Sequence, residues 1–439
     1  MNRKFWEVLE DWNNNKNKQP LLVIGARQTG KSFIIEKFCN QKYKKSFIIN
    51  LLKDKSLINI FNTYQDFDKR VEFLSQKYNI NLKDKDTIIF VDEVQESEDF
   101  IESLKLFCEA GYTNIICAGS LLGVKLKRFK KSYPVGKVQE EILYPMDFEE
   151  FLEATGNERY IESIKNSYIN NIECIFHDVI MDLFRRYLYL GGMPAVIQNY
   201  IDNNQDLSKI NNNIIRDILS AYIEDMSKYN MDNKEKLRIQ MIYNNIAPQL
   251  LKENPKFMYA KFDKKERKSD YVTALDWLVS SHLVLKCNQV TKPEYPVKLF
   301  SDEDNYKLFL SDVGLLRYMI GIDVSDMFFN GDYQYKGVIA ENYVATEFIK
   351  QYGNLHYWSR KGNENNSKAE VDFIIQIKDK IIPVEVKAGE KIQSKSLDIY
   401  KEEFKPSIMI RISAKNFGFE NGIKSIPLYA CFLIKDLAL

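Results

Sequence analysis

Short apolar runs alternate with amphipathic stretches through the first third of the chain. The apolar runs cover residues 21–24, 45–51, 87–93 and 114–118. Between them apolar residues recur every three or four positions, as in helices that bury one face. Alternating strands and helices are typical of a parallel sheet covered by helices. The pattern therefore predicts an α/β domain over residues 1–153.

The pattern changes twice beyond this domain. Residues 154–230 show only the helical spacing, which predicts a helical segment. Residues 231–325 contain two helix-like stretches, at 235–251 and at 269–281, followed by short strands. Helix, helix and strand pair is the order of a winged helix, so we expect a winged-helix-like segment here. Residues 326–439 return to mixed strands and helices and are expected to form a second α/β domain.

Basic residues separate the two helix-like stretches of the middle segment. They are Lys261, Lys264, Lys265, Arg267 and Lys268. In a winged helix the second helix can enter a major groove while a basic loop meets phosphates. Winged helices also serve as protein contacts, so both interpretations stay open.

The first apolar run leads into a loop bounded by two glycines, with the sequence GARQTGKS. Four residues separate the glycines, and lysine and serine follow the second one, where a helical pattern begins. Strand, loop and helix in this order predict a P-loop, whose backbone N–H groups face a phosphate chain. The predicted nucleotide-binding residues are Gly25, Ala26, Arg27, Gln28, Thr29, Gly30, Lys31 and Ser32. Lys31 is expected to reach the β- and γ-phosphates, and the Ser32 hydroxyl to bind Mg²⁺.

A later apolar run, TIIFVDE, ends in two carboxylates. Many strands end in acidic loops, but this one follows a P-loop by about 60 residues, which is the Walker B arrangement. Asp92 is expected to hold the Mg²⁺ shell, and Glu93 to orient or deprotonate the attacking water. The two motifs together predict ATP hydrolysis.

The pattern of the last hundred residues predicts a β-hairpin that carries several charged residues. One strand carries Asp372, and the next carries Glu385 and Lys387, which share a face because side chains alternate along a strand. Glu341 lies in a preceding helix, near the edge of its apolar face. Carboxylate oxygens suit Mg²⁺, and a nearby ammonium can activate water or stabilise a pentavalent phosphorus. A salt bridge on a sheet surface is the competing interpretation.

Composition narrows the expected environment. The 62 Lys and Arg residues nearly cancel the 61 Asp and Glu residues, so net charge gives no argument for nucleic acid, although a local basic face could exist. The six cysteines form no CxxC pair and the three histidines lie apart from them, which favours free thiols in a reducing compartment over a His/Cys metal site. No leader segment and no long apolar run is apparent. We expect a cytoplasmic protein that makes no contact with a membrane.

Six motifs together resemble those of AAA+ ATPases of bacteria and archaea that join a P-loop module to a poorly characterised C-terminal region. They are GARQTGKS, FVDEVQ, CAGSLLG, EEILYPMDFEEFL, YLYLGGMPAVI and LSDVGLL, in this order. The resemblance implies ATP and Mg²⁺ as cofactors, a helical lid over the nucleotide at residues 154–230, and a homo-oligomer. It also implies that Ser120, after the strand at 114–118, contacts the γ-phosphate region. A plain helix N-cap is the alternative role for Ser120.

One position departs from this pattern. Many such proteins have an arginine shortly before the EEILYP stretch, where this chain has Lys137. If that arginine serves a neighbour's nucleotide, Lys137 is a poorer substitute because it cannot make a planar bidentate contact. Arg128, Arg185 and Arg186 are the other candidates for this role.

The C-terminal set is similar to that of PD-(D/E)xK nucleases. The similarity implies a restriction-endonuclease-like fold over residues 326–439, with Asp372, Glu385 and Lys387 as catalytic residues. It also implies that Glu341, Asp372 and Glu385 bind Mg²⁺. Such folds also persist as inert binding modules.

Three functions are therefore compatible with the sequence. The first is an ATP-driven enzyme whose C-terminal nuclease acts on nucleic acid, with DNA as the expected substrate. The second is an ATPase switch whose C-terminal domain only binds DNA or an unidentified protein partner, which the near-zero net charge and Lys137 favour. The third is a nucleotide-binding scaffold that barely hydrolyses ATP.

Overall fold

A computed structural model describes most of the chain. The described residues are 1–120, 123, 134–228, 232–252, 256–259, 267–328, 335–360, 362, 367–389 and 395–436. They form two compact units. The first unit comprises residues 1–144 and 280–282, and the second comprises residues 145–279 and 283–439.

The first unit contains a five-stranded sheet flanked by helices. Its helices are α1 (Phe5–Asn14), α2 (Lys31–Lys42), α3 (Lys55–Thr63), α4 (Phe67–Tyr78) and α5 (Glu98–Glu109). Its strands are β1 (Leu21–Ile24), β2 (Lys45–Asn50), β3 (Thr87–Asp92), β4 (Ile115–Ala118) and β5 (Gln139–Ile142). The strand order is β2-β3-β4-β1-β5, and every neighbouring pair is parallel.

Apolar residues on both faces of this sheet explain why helices cover it. Along β1, Leu21 and Val23 pack with α1 and α2, whereas Leu22 and Ile24 pack on the other face with α3 and α5. Burial on both faces is the expected state of strands in a parallel sheet. The α/β architecture that the sequence predicts for this part of the chain is confirmed.

Two elements of the first unit escape the sequence pattern. Helix α3 is one of them. The other is the edge strand β5, with the polar sequence QEEI. It pairs with β1 on one side and leaves Glu140 exposed, so it lacks the apolar run that marks the inner strands. The compact unit also ends at Tyr144, before the predicted boundary at residue 153.

The second unit combines helices with two small sheets. Its helices are α6 (Phe148–Ala154), α7 (Arg159–Asn170), α8 (His177–Leu190), α9 (Pro194–Asp202), α10 (Asn213–Lys228), α11 (Asn233–Leu250), α12 (Val272–Ser280), α13 (Val313–Ile320), α14 (Val324–Phe328), α15 (Lys336–Tyr352) and α16 (Lys395–Phe404). Its strands are β6 (Val284–Val290), β7 (Ser301–Leu310), β8 (Leu355–Arg360), β9 (Ala369–Val371), β10 (Phe373–Ile377), β11 (Lys380–Val386), β12 (Met409–Ser413), β13 (Gly418–Glu420) and β14 (Ile423–Pro427). The strand orders are β7-β6-β8-β9 and β10-β11-β12-β14-β13.

The middle segment shares a sheet with the C-terminal region. Helices α11 and α12 and strands β6 and β7 follow in the order that predicts a winged helix. However, β6 pairs with β7 on one side and, in parallel, with β8 on the other. The predicted boundary at residues 325 and 326 therefore runs through one sheet, and the four-domain division stays a prediction. The sequence could not reveal this pairing, because it joins residues that lie almost 70 positions apart.

The sequence motifs YLYLGGMPAVI and LSDVGLL contact each other inside the second unit. The turn between α8 and α9 contains Gly191 and Gly192, and the Gly192 N–H donates to Asp312 Oδ2 at 2.6 Å. Asp312 also caps α13, since its Oδ1 accepts from the Leu315 N–H at 2.9 Å. A Cβ on Gly192 would lie 2.1 Å from the Met146 carbonyl oxygen, so only glycine allows this close approach.

None of the described helices is long and apolar enough to cross a bilayer.

Candidate functional site

The P-loop lies between β1 and α2, as the sequence predicts. Gly25 has φ 147° and a Cβ there would meet the Leu143 carbonyl oxygen at 2.3 Å, so the position requires glycine. Gly30 caps α2 in the left-handed conformation, with φ 90°. The Thr29 hydroxyl donates to the Ala26 carbonyl at 3.0 Å and closes the loop from within.

Both predicted phosphate and metal contacts of the P-loop have partners within the first unit. Lys31 is 7 % exposed, and its Nζ donates to the Gly25 and Ala26 carbonyls at 2.8 and 2.7 Å. The Ser32 hydroxyl donates to Asp92 Oδ2 at 3.0 Å, which brings the first and second nucleotide motifs together. Asn50, at the end of β2, also donates to Asp92 Oδ2 at 3.1 Å. Sequence reasoning missed Asn50, although its place at the end of a strand beside β3 is a usable signal.

Glu93 follows β3 in a left-handed conformation with φ 55°, which is uncommon for a residue with a side chain. Its carboxylate accepts from the Gln95 side-chain amide at 2.5 Å. Burial raises the pKa of Glu93, and the neighbouring Asp92 adds to this effect, while Gln95 and Lys31 oppose it. A carboxylate that is partly withdrawn from water suits the role of a base.

Arg3 supports the P-loop from the start of the chain. Its guanidinium donates to the Thr29 carbonyl at 2.8 Å and to the Tyr144 carbonyl, just after β5, at 2.7 Å. Arg3 is 8 % exposed. No motif marks this residue in the sequence, because its partners lie 26 and 141 positions away.

The remaining predicted nucleotide contacts are Ser120 and the candidates for an arginine that serves a neighbour's nucleotide. Ser120 lies in the turn after β4. Lys137 forms an ion pair with Glu109 at 3.5 Å, Arg185 is exposed, and Arg186 binds Asp182 and the Tyr200 hydroxyl. Arg128 lies outside the described residues. The role of an arginine that serves a neighbour's nucleotide stays a prediction for each of these residues.

The C-terminal hairpin forms as the sequence predicts. Strands β10 and β11 are antiparallel, and Asp372 lies at the break between β9 and β10. The Asp372 Oδ2 accepts from the Val386 N–H at 2.7 Å, which fixes it beside the end of β11. Lys387 Nζ lies 2.6 Å from Glu385 Oε1, so these two side chains share a face.

Glu341 joins the same cluster through a residue that the sequence analysis missed. Lys307 on β7 is 1 % exposed. Its Nζ lies 2.9 Å from Glu341 Oε1 on α15 and 2.7 Å from Glu370 Oε1 on β9. The usable signal in the sequence is that Lys307 stands directly before the apolar residues Leu-Phe-Leu of a strand. We call Lys307, Glu341, Glu370, Asp372, Glu385 and Lys387 the acidic cluster.

The charges of the acidic cluster strongly influence one another. Burial raises the pKa of Asp372 well above its ordinary value, and the nearby Glu385 and Glu341 raise it further. Burial disfavours the charged form of Lys307, but Glu341, Glu370 and Asp372 outweigh this and raise its pKa well above the ordinary value. Burial also disfavours the charged form of Lys387, but the nearby Glu385 outweighs this effect and raises the pKa of Lys387.

One oxygen of the cluster lacks a partner within the described part of the chain. Glu385 is 4 % exposed, and its Oε2 has no hydrogen-bond donor there. A buried carboxylate oxygen without a donor is costly, and a bound cation would satisfy it. Asp372 and Glu385 therefore fit a divalent cation. Nevertheless, no group of three His, Cys, Asp or Glu side chains among the described residues has metal-binding geometry. Glu341, the third predicted ligand, is paired with Lys307.

The basic residues of the middle segment are only partly described. Lys261, Lys264 and Lys265 lie outside the described residues. Lys268 pairs with Asp304 at 2.7 Å, so a carboxylate already neutralises its charge. DNA binding by this segment stays a prediction.

Family comparisons divide the chain into three parts. Residues 17–152 match an AAA domain, which contains both nucleotide motifs. Residues 181–326 match a domain of unknown function (DUF8612), and residues 336–431 match another (DUF4143). The chain thus carries an AAA-type P-loop ATPase domain. No curated protein matches the chain.

Solved structures show limited similarity. A Walker-type ATPase of Pyrococcus abyssi is 16 % identical, with 72 % of this chain and 95 % of that chain covered and a TM-score of 0.43. The ORC2 protein of Aeropyrum pernix, in ADPNP and ADP complexes, is 12 % identical, with 73 % and 94 % covered and a TM-score of 0.35.

Proposed function

We propose that this AAA-type ATPase uses ATP binding and hydrolysis to control a Mg²⁺-dependent phosphodiesterase site in its second unit. Nucleic acid, and DNA first of all, is the proposed substrate. The observation that carries the proposal is the convergence of Asp372, Glu385 and Lys387, with a buried Glu385 oxygen that has no donor among the described residues.

The nucleotide site supports the first half of the proposal. Ser32 and Asp92 are 3.0 Å apart and would hold Mg²⁺ together, while Lys31 would bind the β- and γ-phosphates. Glu93 would orient and deprotonate the attacking water. Ser120 would contact the γ-phosphate region from the end of β4.

The acidic cluster supports the second half. Asp372 and Glu385 would bind the cation, which supplies charge stabilisation to a phosphodiester and lowers the pKa of water. Lys387 is 2.6 Å from Glu385 and would contact the attacked phosphate or the water. Glu341 and Glu370 would keep Lys307 charged beside them.

We propose that the protein acts in the cytoplasm and that it forms a homo-oligomer. All six cysteines are free, and five of them are buried, which agrees with a reducing compartment. A homo-oligomer would let a neighbour complete the nucleotide site, for which Lys137, Arg185 and Arg186 are the candidates within the described residues.

The test is cleavage of linear, circular and branched DNA in the presence of Mg²⁺. We expect the wild type to cut one of these forms and Asp372→Asn to lose at least about 100-fold in rate, since it removes a charged ligand. The control is Asp379→Asn, which changes an exposed carboxylate in the turn of the same hairpin and should cut normally. Intact DNA with the wild type, or equal cutting by Asp372→Asn, would contradict the proposal.

A second candidate is a binding module without cleavage. It is favoured by the ion pair of Lys307 with Glu341, which engages one of the three predicted metal ligands. In that case, ATP would still be hydrolysed while DNA or a protein partner is bound and released unchanged. DNA binding by gel shift, unaffected by Asp372→Asn and without any cut product, would support this candidate.

A further inference from the structure

Lys307 lies within a cluster of four carboxylates and pairs with two of them. It comes from β7, whereas its partners come from α15 and β9, so its ammonium joins three elements. The side chain also lies against the Tyr357 ring, 5.0 Å from its centre. The residue is 1 % exposed, which means that the ammonium is a fixed part of the cluster and not a solvated surface charge.

The four carboxylates divide into two pairs by their contacts. Glu341 and Glu370 each contact Lys307 Nζ, at 2.9 and 2.7 Å. In the described part of the chain, Asp372 accepts from the Val386 N–H, Glu385 pairs with Lys387, and the other Glu385 oxygen has no donor. One buried ammonium contacts both carboxylates of the first pair, whereas in the second pair the more exposed Lys387 contacts Glu385 alone.

Arg411 does not change this division. It lies opposite Glu385 on the neighbouring strand β12, but it also faces Asp398 and Glu420. Two further carboxylates therefore share its charge. Lys307 is the cation that the described structure places within 3 Å of two carboxylates of the cluster.

We propose that Lys307 serves as a built-in cation, so that the acidic cluster takes one divalent cation, at Asp372 and Glu385, and not two. The proposal rests on the proposed function for the identity of the site, but it concerns the number of cations and not the cleavage. Lys307 is a positioning residue in this account, because it holds Glu341 and Glu370 and touches no substrate. Removing its charge frees both carboxylates for a second cation.

The test is to count bound Mn²⁺ by calorimetry and by the electron paramagnetic resonance of free Mn²⁺, using the full chain without nucleotide. The wild type is expected to bind one Mn²⁺, and Lys307→Met to bind two. Asp372→Asn combined with Glu385→Gln is expected to abolish the wild-type binding, which separates this site from the P-loop. Two Mn²⁺ in the wild type, or an unchanged count and affinity in Lys307→Met, would overturn the proposal.

A double variant covers the case in which Lys307→Met does not fold. Lys307→Met combined with Glu370→Gln removes one positive and one negative charge, so the net charge of the cluster stays as in the wild type. It is expected to bind one Mn²⁺, because Asp372 and Glu385 are untouched. Complete loss of binding in a folded double variant would contradict the proposal.

The outcomes also separate this proposal from the proposed function. One Mn²⁺ in the wild type without any DNA cleavage would refute the nuclease and support the built-in cation. No Mn²⁺ in the wild type and one in Lys307→Met would overturn the proposal of one cation at Asp372 and Glu385, and would again refute the nuclease. No Mn²⁺ in either protein would refute both.

Discussion

Glu93 combines a strained backbone with a partly buried carboxylate. Its φ of 55° is of the kind that costs about 1 kcal/mol or more for a residue with a side chain. The Gln95 amide holds the carboxylate at 2.5 Å, beside Asp92 and Lys31. Such strain persists where the surroundings fix it, and here the Gln95 amide holds the carboxylate in place.

Glu93→Gln should separate ATP binding from ATP hydrolysis. The amide keeps the shape of the side chain but cannot accept a proton, so turnover should fall by about 10²–10⁴-fold. Phosphate release measures the turnover, and a fluorescent ATP analogue measures the retained binding. Glu96→Gln, an exposed carboxylate in the same turn, is the control. Normal turnover in Glu93→Gln would exclude Glu93 as the base.

Lys18, which belongs neither to the nucleotide site nor to the acidic cluster, should make the free energy of unfolding depend on pH in the alkaline range. Its Nζ contacts Asn13 Oδ1 and the Tyr43 hydroxyl, over the Trp12 ring, and has no carboxylate partner among the described residues. Burial lowers the pKa of Lys18 to about 8. Because the unfolded chain then binds more protons between that pKa and the ordinary value of 10.5, stability should rise with pH across this interval.

Lys18→Met should remove this rise. At pH 7 the variant should be more stable than the wild type by about 1 kcal/mol, a value reduced for the partial exposure of the side chain. The difference should shrink towards pH 10, where Lys18 loses its proton. Urea unfolding at a series of pH values measures both effects, and a difference that does not depend on pH would refute the burial argument.

Among the elements, the turn between α8 and α9 contains a close backbone approach at Gly192. Gly192→Ala should destabilise the protein by about 2 kcal/mol or more, because the added Cβ would lie 2.1 Å from a backbone oxygen that cannot move freely. Gly337→Ala, near the start of α15, is the matched control, since nothing lies within 4 Å of its added Cβ. Thermal unfolding compares the two, and equal midpoints would contradict the close approach.

Arg3 links the start of the chain to the P-loop and to the end of β5. Arg3→Met should leave the Thr29 and Tyr144 carbonyls without this donor, and each lost hydrogen bond to a charged group is worth about 1.5–3 kcal/mol. We expect weaker ATP binding in the folded variant, because the loop loses its outer support. Arg3→Lys should recover only part of the affinity, since one ammonium cannot reproduce the fork of a guanidinium. Unchanged ATP affinity in Arg3→Met would show that the loop needs no such support.

The sequence predicts elements well where a local pattern suffices. The strand, loop and helix around Lys31 and the hairpin of β10 and β11 form as predicted, although Asp372 lies just before β10 and not on the strand. Strand β5 escapes because an edge strand can be polar and still pair. The partners of Lys307 lie 34 and 63 positions away, and no local pattern encodes such a meeting.

At the scale of the whole molecule, the chain contains an ATPase domain and, in another compact unit, a separate acidic cluster. Each site contains its own carboxylates and lysines, and each is proposed to bind Mg²⁺. The central claim is that ATP at the first site controls chemistry at the second. Variants that disable one site alone, Glu93→Gln and Asp372→Asn, make this claim testable.

The most direct measurement follows ATP hydrolysis and DNA cleavage in the same reaction, with and without ATP. The account predicts that ATP changes the cleavage rate of the wild type by several-fold, that Glu93→Gln alters cleavage while losing turnover, and that Asp372→Asn hydrolyses ATP without cutting. A wild-type cleavage rate that is the same with and without ATP would contradict the control of one site by the other.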